Sequence, residues 1–82
     1  MASGADLLER MRRSPHGFSP KDFERMLTHY GFKRKEGRSH TTYRHELSEP
    51  GRVVIVPRHR SILAHVARSA VASVDSVIDQ ED

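Results

Sequence analysis

The sequence predicts an α+β fold: a three-stranded antiparallel sheet with helices on one face, in the order α-α-β-β-β-α. Three observations carry this. Ser19-Pro20 opens a stripe of Phe23, Met26, Leu27 and Tyr30 at helical spacing, and Gly31 closes it. Gly37-Arg38 then separates two short runs suited to paired strands. Finally, Val53-Val54-Ile55-Val56 ends at Pro57 and gives way to an Ala- and Val-rich stretch with helical periodicity. Eighty-two residues make one domain, residues 1–82, too small for a deep site between two domains.

The elements follow in order. Leu7, Leu8 and Met11 form a short apolar stripe in a first helix that ends near Ser14-Pro15, because proline disfavours helical backbone in the residue before it. This N-terminal helix, within residues 1–14, is expected to dock loosely. In the second helix Ser19 is the N-cap, Pro20 the first helical residue, and Asp22 lies three places after the cap. Phe18 and Phe23 are placed as a hydrophobic staple. Gly31 supplies a left-handed C-cap residue, so that Phe32 folds back on Leu27. Strands are expected over Phe32 to Glu36, over Ser39 to Leu47, and over Arg52 to Val56, with Ser48-Glu49-Pro50-Gly51 as the second turn. The Val53–Val56 run reads as the most buried strand. A last helix spans about Ser61 to Ile78, with Leu63, Val66, Ala67, Ala70, Val71, Val74, Val77 and Ile78 on its apolar face. The acidic tail, residues 76–82, is expected to be solvated and mobile.

Strand alternation sorts the second strand. Tyr43 and Leu47 are its apolar members and should face the helices. His40, Thr42 and Arg44 are then left on the open face; the position of His45 is not fixed. An imidazole just after a turn, beside Arg38, Lys35 and Arg58, has the parts needed to cut RNA. Histidine exchanges protons near neutral pH. It can take the proton of a 2′-hydroxyl that attacks the adjacent phosphate, while cations stabilise the charge that develops. Arg44 is the more distant cation, since four strand residues span about 13 Å. Spacing alone favours an exposed histidine with no chemical task.

Charge points to a polyanion. The chain has 14 Lys+Arg against 11 Asp+Glu, a net charge of +3. From Arg25 to Arg60 the bases outnumber the acids, which are only Glu36, Glu46 and Glu49 there. Such a basic middle suits nucleic acid, and an ordinary solvated surface is the competing explanation. Cysteine is absent, which excludes disulfides and thiolate metal sites. His40 and His45 are five apart and point to opposite faces, so they cannot clamp one ion; no metal and no small-molecule cofactor is expected. No apolar run has membrane-spanning length and no secretion signal opens the chain, so the cytoplasm is the default location.

Four segments, in this order and spacing, resemble the HicA family of toxin ribonucleases. They are Phe23-Glu24-Arg25-Met26-Leu27 through Tyr30-Gly31-Phe32, Ser39-His40, Tyr43-Arg44-His45, and Val54-Ile55-Val56-Pro57-Arg58-His59. The resemblance covers roughly Leu7 to Val71. It implies a double-stranded-RNA-binding-domain-like fold, metal-independent mRNA cleavage, and inhibition by a HicB-like antitoxin covering the catalytic histidine. His40 is the residue carried over as catalytic. Lys35, Arg38, Ser39, Arg44, Arg58 and His59 are the expected RNA-binding residues. Two positions depart from the pattern. Arg38 stands where the family usually has Gly, so Gly37 is expected to supply a positive φ. Thr41 stands where many members have a second His, leaving His59 or a water to protonate the leaving group.

The expectation is therefore the toxin of a type II toxin–antitoxin pair, an endoribonuclease. A non-catalytic RNA-binding module of the same fold is the alternative. A third reading, a protein-interaction domain that could bind DNA as a winged helix, is disfavoured, because Lys21, Glu24, Arg25 and Thr28 mix charge signs on the polar side of the second helix.

Overall fold

The computed structural model of the protein describes residues 3–47, 53–58, 62 and 64–81. The element order is α1 (Gly4–Arg13), α2 (Pro20–His29), β1 (Lys33–Glu36), β2 (His40–Arg44), β3 (Val54–Pro57) and α3 (Ala64–Glu81). The strands form one antiparallel sheet in the order β1-β2-β3. The α+β class and the α-α-β-β-β-α order are those expected from the sequence.

Both short helices begin with a reciprocal cap. Ser3 and Asp6 exchange side chain–backbone hydrogen bonds at the start of α1, and Ser19 and Asp22 do the same at α2. At its other end α2 closes in a two-bond cap. Gly31 N–H donates to the Thr28 carbonyl and Phe32 N–H donates to the Leu27 carbonyl. Gly31 has φ +88, a conformation that glycine enters without strain. This cap reverses the chain and starts β1 antiparallel to α2. Helix α1 is also antiparallel to α2: a Cβ placed on Gly4 would fall 2.3 Å from His29 Cβ, so only a residue without a side chain fits there.

The core lies between the helices and one face of the sheet. Leu7, Leu8 and Met11 of α1, Phe23, Met26 and Leu27 of α2, Val54 and Val56 of β3, and Ala67, Ala70, Val74 and Val77 of α3 are all buried in it. The small alanines let α3 lie close. On the far side of that helix Arg12 of α1 donates two hydrogen bonds of 2.9 Å to the Asp75 carboxylate, which raises the Arg12 pKa. Ser73 is buried with no hydrogen-bond partner for its hydroxyl among the described residues.

The third strand is the most buried of the three, as expected, with Val54 and Val56 facing the core and Ile55 49% exposed. Helices cover one face only, so alternation sends Ile55 to the other. Two expectations are corrected. The second strand stops at Arg44, not Leu47. There the His45 ring turns back and its Nδ1 accepts from Leu47 N–H at 3.0 Å, so a local side-chain bond replaces the ladder. Gly37 has no positive φ; among the described glycines only Gly17 and Gly31 do. The third-strand start at Arg52, the second turn at Ser48–Gly51, and Ser61 and Leu63 of the last helix lie outside the described residues.

Candidate functional site

The register fixes which side chains share the open face. Directly opposite residues in an antiparallel pair point the same way. Lys33 lies opposite Arg44, Lys35 opposite Thr42, Thr42 opposite Ile55, and His40 opposite Pro57. The buried set Thr41, Tyr43, Val54 and Val56 occupies the helix side. Burial pushes the Tyr43 phenol pKa up, because its ionised form would lose solvation. Lys33, Lys35, His40, Thr42, Arg44, Ile55 and Pro57 are therefore on the open face, and Lys33, Lys35, His40 and Arg44 are exposed.

Charge is sorted by face as well. Arg34 and Glu36 of β1 belong to the helix side, where Arg34 pairs with Glu24 at 3.0 Å and with Glu36, and Arg58 reaches Glu36 at 3.7 Å. On the open face, among the described residues, no carboxylate pairs with Lys33, Lys35 or Arg44. Lys33 and Arg44 are instead directly opposite one another, an arrangement that opposes folding.

His40 is the first residue of β2, at the end of a tight turn. Gly37 N–H donates to the His40 carbonyl at 2.8 Å, which leaves Arg38 and Ser39 as the two loop residues. No non-glycine residue has a positive φ among those described, so this is not one of the mirror-image hairpin turns. Glycine serves here by size: a Cβ on Gly37 would meet the His40 carbonyl oxygen at 3.0 Å. The His40 Nδ1 lies 3.4 Å from the Ser39 hydroxyl, a long contact that orients the ring only weakly. The side chain as a whole is exposed, and its Nε2 lies beside Gly37, 3.8 Å from where a Cβ there would stand.

The expected site residues separate into two groups. Lys35 is the cross-strand diagonal neighbour of His40, about 7–8 Å away by ladder geometry. Arg38 and Ser39 flank His40 in the turn, and Arg44 shares its face at the other end of β2. Arg58 is near only through its backbone, whose N–H donates to the Ser39 carbonyl at 3.1 Å; its guanidinium turns to Glu36. His59 lies outside the described residues. Sequence reading passed over Lys33 and the exposed Ile55. The alternation Lys33-Arg34-Lys35-Glu36 carried the signal for Lys33, once β1 is registered against β2. His45 is half-buried at the sheet rim against Phe32, at 5.2 Å between ring centroids, and takes no part in the open face.

Among the described residues no cluster of three His, Asp or Glu is placed to hold a metal ion, and no helix is long and apolar enough to cross a membrane. Comparison with family models, with curated proteins and with solved structures finds no match.

Proposed function

We propose that this chain is a HicA-like endoribonuclease that binds single-stranded RNA on the open sheet face and cuts it without a metal. The observation that carries the reading is the unneutralised row of Lys33, Lys35 and Arg44, with Lys33 set against Arg44 and His40 on the same face. A face that only protected a sheet edge would be served by charges of either sign. This one holds a single sign where repulsion costs stability, and a polyanion relieves that cost. The order α2-β1-β2-β3-α3, with one sheet face bare, supports a double-stranded-RNA-binding-domain-like fold.

In the proposed reaction the His40 imidazole takes the proton of a ribose 2′-hydroxyl. The 2′-oxygen attacks the adjacent phosphorus, the bond from phosphorus to the 5′-oxygen breaks, and a cyclic phosphate remains on the 5′ fragment. The departing 5′-oxygen receives its proton from His59 or from water. Lys35 is the nearest open-face cation to stabilise the charge on the phosphoryl oxygens, and Arg38 approaches from the turn. Lys33 and Arg44 hold neighbouring phosphates. In this reading the chain is the toxin of a type II pair, and a HicB-like antitoxin is the partner that covers the basic face.

One observation favours the non-catalytic alternative. Among the described residues, the Ser39 hydroxyl at 3.4 Å is the one side chain on the His40 ring, and no carboxylate orients it. A cleavage assay decides. Wild type and His40→Ala are incubated with a long RNA in excess chelator. Cutting by the wild type alone is the expected result. Equal cutting by both removes His40 from the mechanism, and RNA binding without cutting by either supports the binding module.

A further inference from the structure

A second basic cleft lies at the His40 end of the molecule, on the helix layer. It has a volume of about 340 Å³ and is lined by Arg10, Arg13, Ser14, His16 and Phe18. Three features fix its place. The end of α1 meets the start of α2, because the two helices are antiparallel. The start of α2 lies beside the β1–β2 turn, because β1 runs antiparallel to α2. Ile62 N–H donates to the Phe18 carbonyl at 3.4 Å, and Ile62 follows five residues after Pro57, the strand partner of His40.

Bases at the end of a helix have an ordinary explanation, since they complement the partial negative charge of its last carbonyls. That explanation suffices for Arg12, which is bonded to Asp75. It does not account for the cleft. Arg10 and Arg13 pair with no carboxylate among the described residues, and no acid lines the cleft. The Arg10 guanidinium is held 5.9 Å over the centre of the Phe18 ring, a cation–π contact that limits its motion. Two arginines, a histidine and a serine line one space. Their summed positive charge exceeds the roughly half charge of a helix end. Guanidinium groups so placed match phosphate oxygens.

We propose that this cleft is a second phosphate subsite, and that an RNA strand crossing the sheet face continues past the His40 turn and seats a later phosphate between Arg10 and Arg13. The inference rests on the RNA-cleaving reading for the strand that reaches it. It adds a subsite on the helix layer to the sheet-face contacts, and predicts that affinity depends on RNA length.

The test measures anisotropy of labelled RNAs with His40→Ala as the parent, so that nothing is cut. One RNA has roughly four nucleotides, enough for the sheet face, and one has roughly 16. The variant is Arg10→Gln/Arg13→Gln, which keeps part of each side-chain stem while removing both charges. The expected result is unchanged affinity for the short RNA and about fourfold loss for the long one at 0.15 M salt, with the salt slope reduced by about 0.7 for the one phosphate lost. Arg10→Lys/Arg13→Lys should keep the slope. In contrast, Lys33→Gln/Lys35→Gln should weaken both lengths, which separates the two surfaces. Unchanged affinity and slope for the long RNA in the Arg10→Gln/Arg13→Gln chain overturn the subsite, even if wild type cleaves. A length-dependent loss in that chain, with a wild type that cuts nothing, sustains the subsite and removes the nuclease. A parent that binds neither RNA overturns both.

Discussion

Replacing Lys33 by Gln should make the protein more stable and worse at binding RNA. Lys33 is directly opposite Arg44, and both are exposed. Two unit charges 5–10 Å apart in water repel by about 0.4–0.8 kcal/mol, within the range of about 0.2–1 kcal/mol measured for cross-strand pairs. A gain near 0.4 kcal/mol in a domain of this size raises Tm by about 2–3 °C. The gain should shrink as salt screens the pair, with most of it gone by about 1 M. RNA binding should move the other way. One lost phosphate contact lowers the salt slope by about 0.7, which corresponds to about fourfold weaker binding at 0.15 M salt. Thermal melts at two salt concentrations and an RNA titration over a salt series measure both effects. A lower or salt-independent Tm, or an unchanged RNA affinity, would refute the argument that this face keeps a costly pair for a polyanion.

Three further outcomes follow from the packing. Ser73→Ala removes a buried hydroxyl without a partner among the described residues and inserts the best helix former, so chemical denaturation should show a gain of about 1 kcal/mol. Gly31→Ala forces a side chain into φ +88 and sets its Cβ 2.9 Å from His45 Nε2, so the same measurement should show a loss of about 1–3 kcal/mol. Tyr43→Phe tests linkage: the folded-state phenol pKa is raised above its ordinary value of 10.0, so its contribution is complete below pH 10 and is lost as pH climbs through the folded value. The Phe variant should lose less stability than wild type above pH 10, as read from denaturant midpoints across that range.

The helices were legible because their ends are written in single residues. Ser19, Pro20 and Asp22 start α2 and Gly31 stops it, and each works through bonds to its near neighbours. The open face was legible in part. Alternation within β2 separates His40, Thr42 and Arg44 from Tyr43 without any partner strand. Lys33 and Ile55 were missed because their facing depends on which residues they oppose, and register is a property of two strands. Arg58 was misplaced for a related reason. Its nearness to His40 in the ladder is real for the backbone, but Glu36 on the other face draws its guanidinium away. The early end of β2 escaped notice because a strand-like run gives no hint that His45 will bond to its own chain two residues on.

The sequential order of the strands has a consequence for how the site tolerates damage elsewhere. The turn at His40 is closed by the Gly37–His40 bond inside a single hairpin, and among the described residues the open-face cations of the sheet sit on the two strands of that hairpin. None of it relies on α1, which Arg12 ties to Asp75 of α3. Loosening α1 would therefore lower global stability while leaving the geometry around His40 as it was in every molecule still folded. The turn that presents His40 and the packing of α1 are held by different parts of the chain, so the helix can loosen without moving the turn.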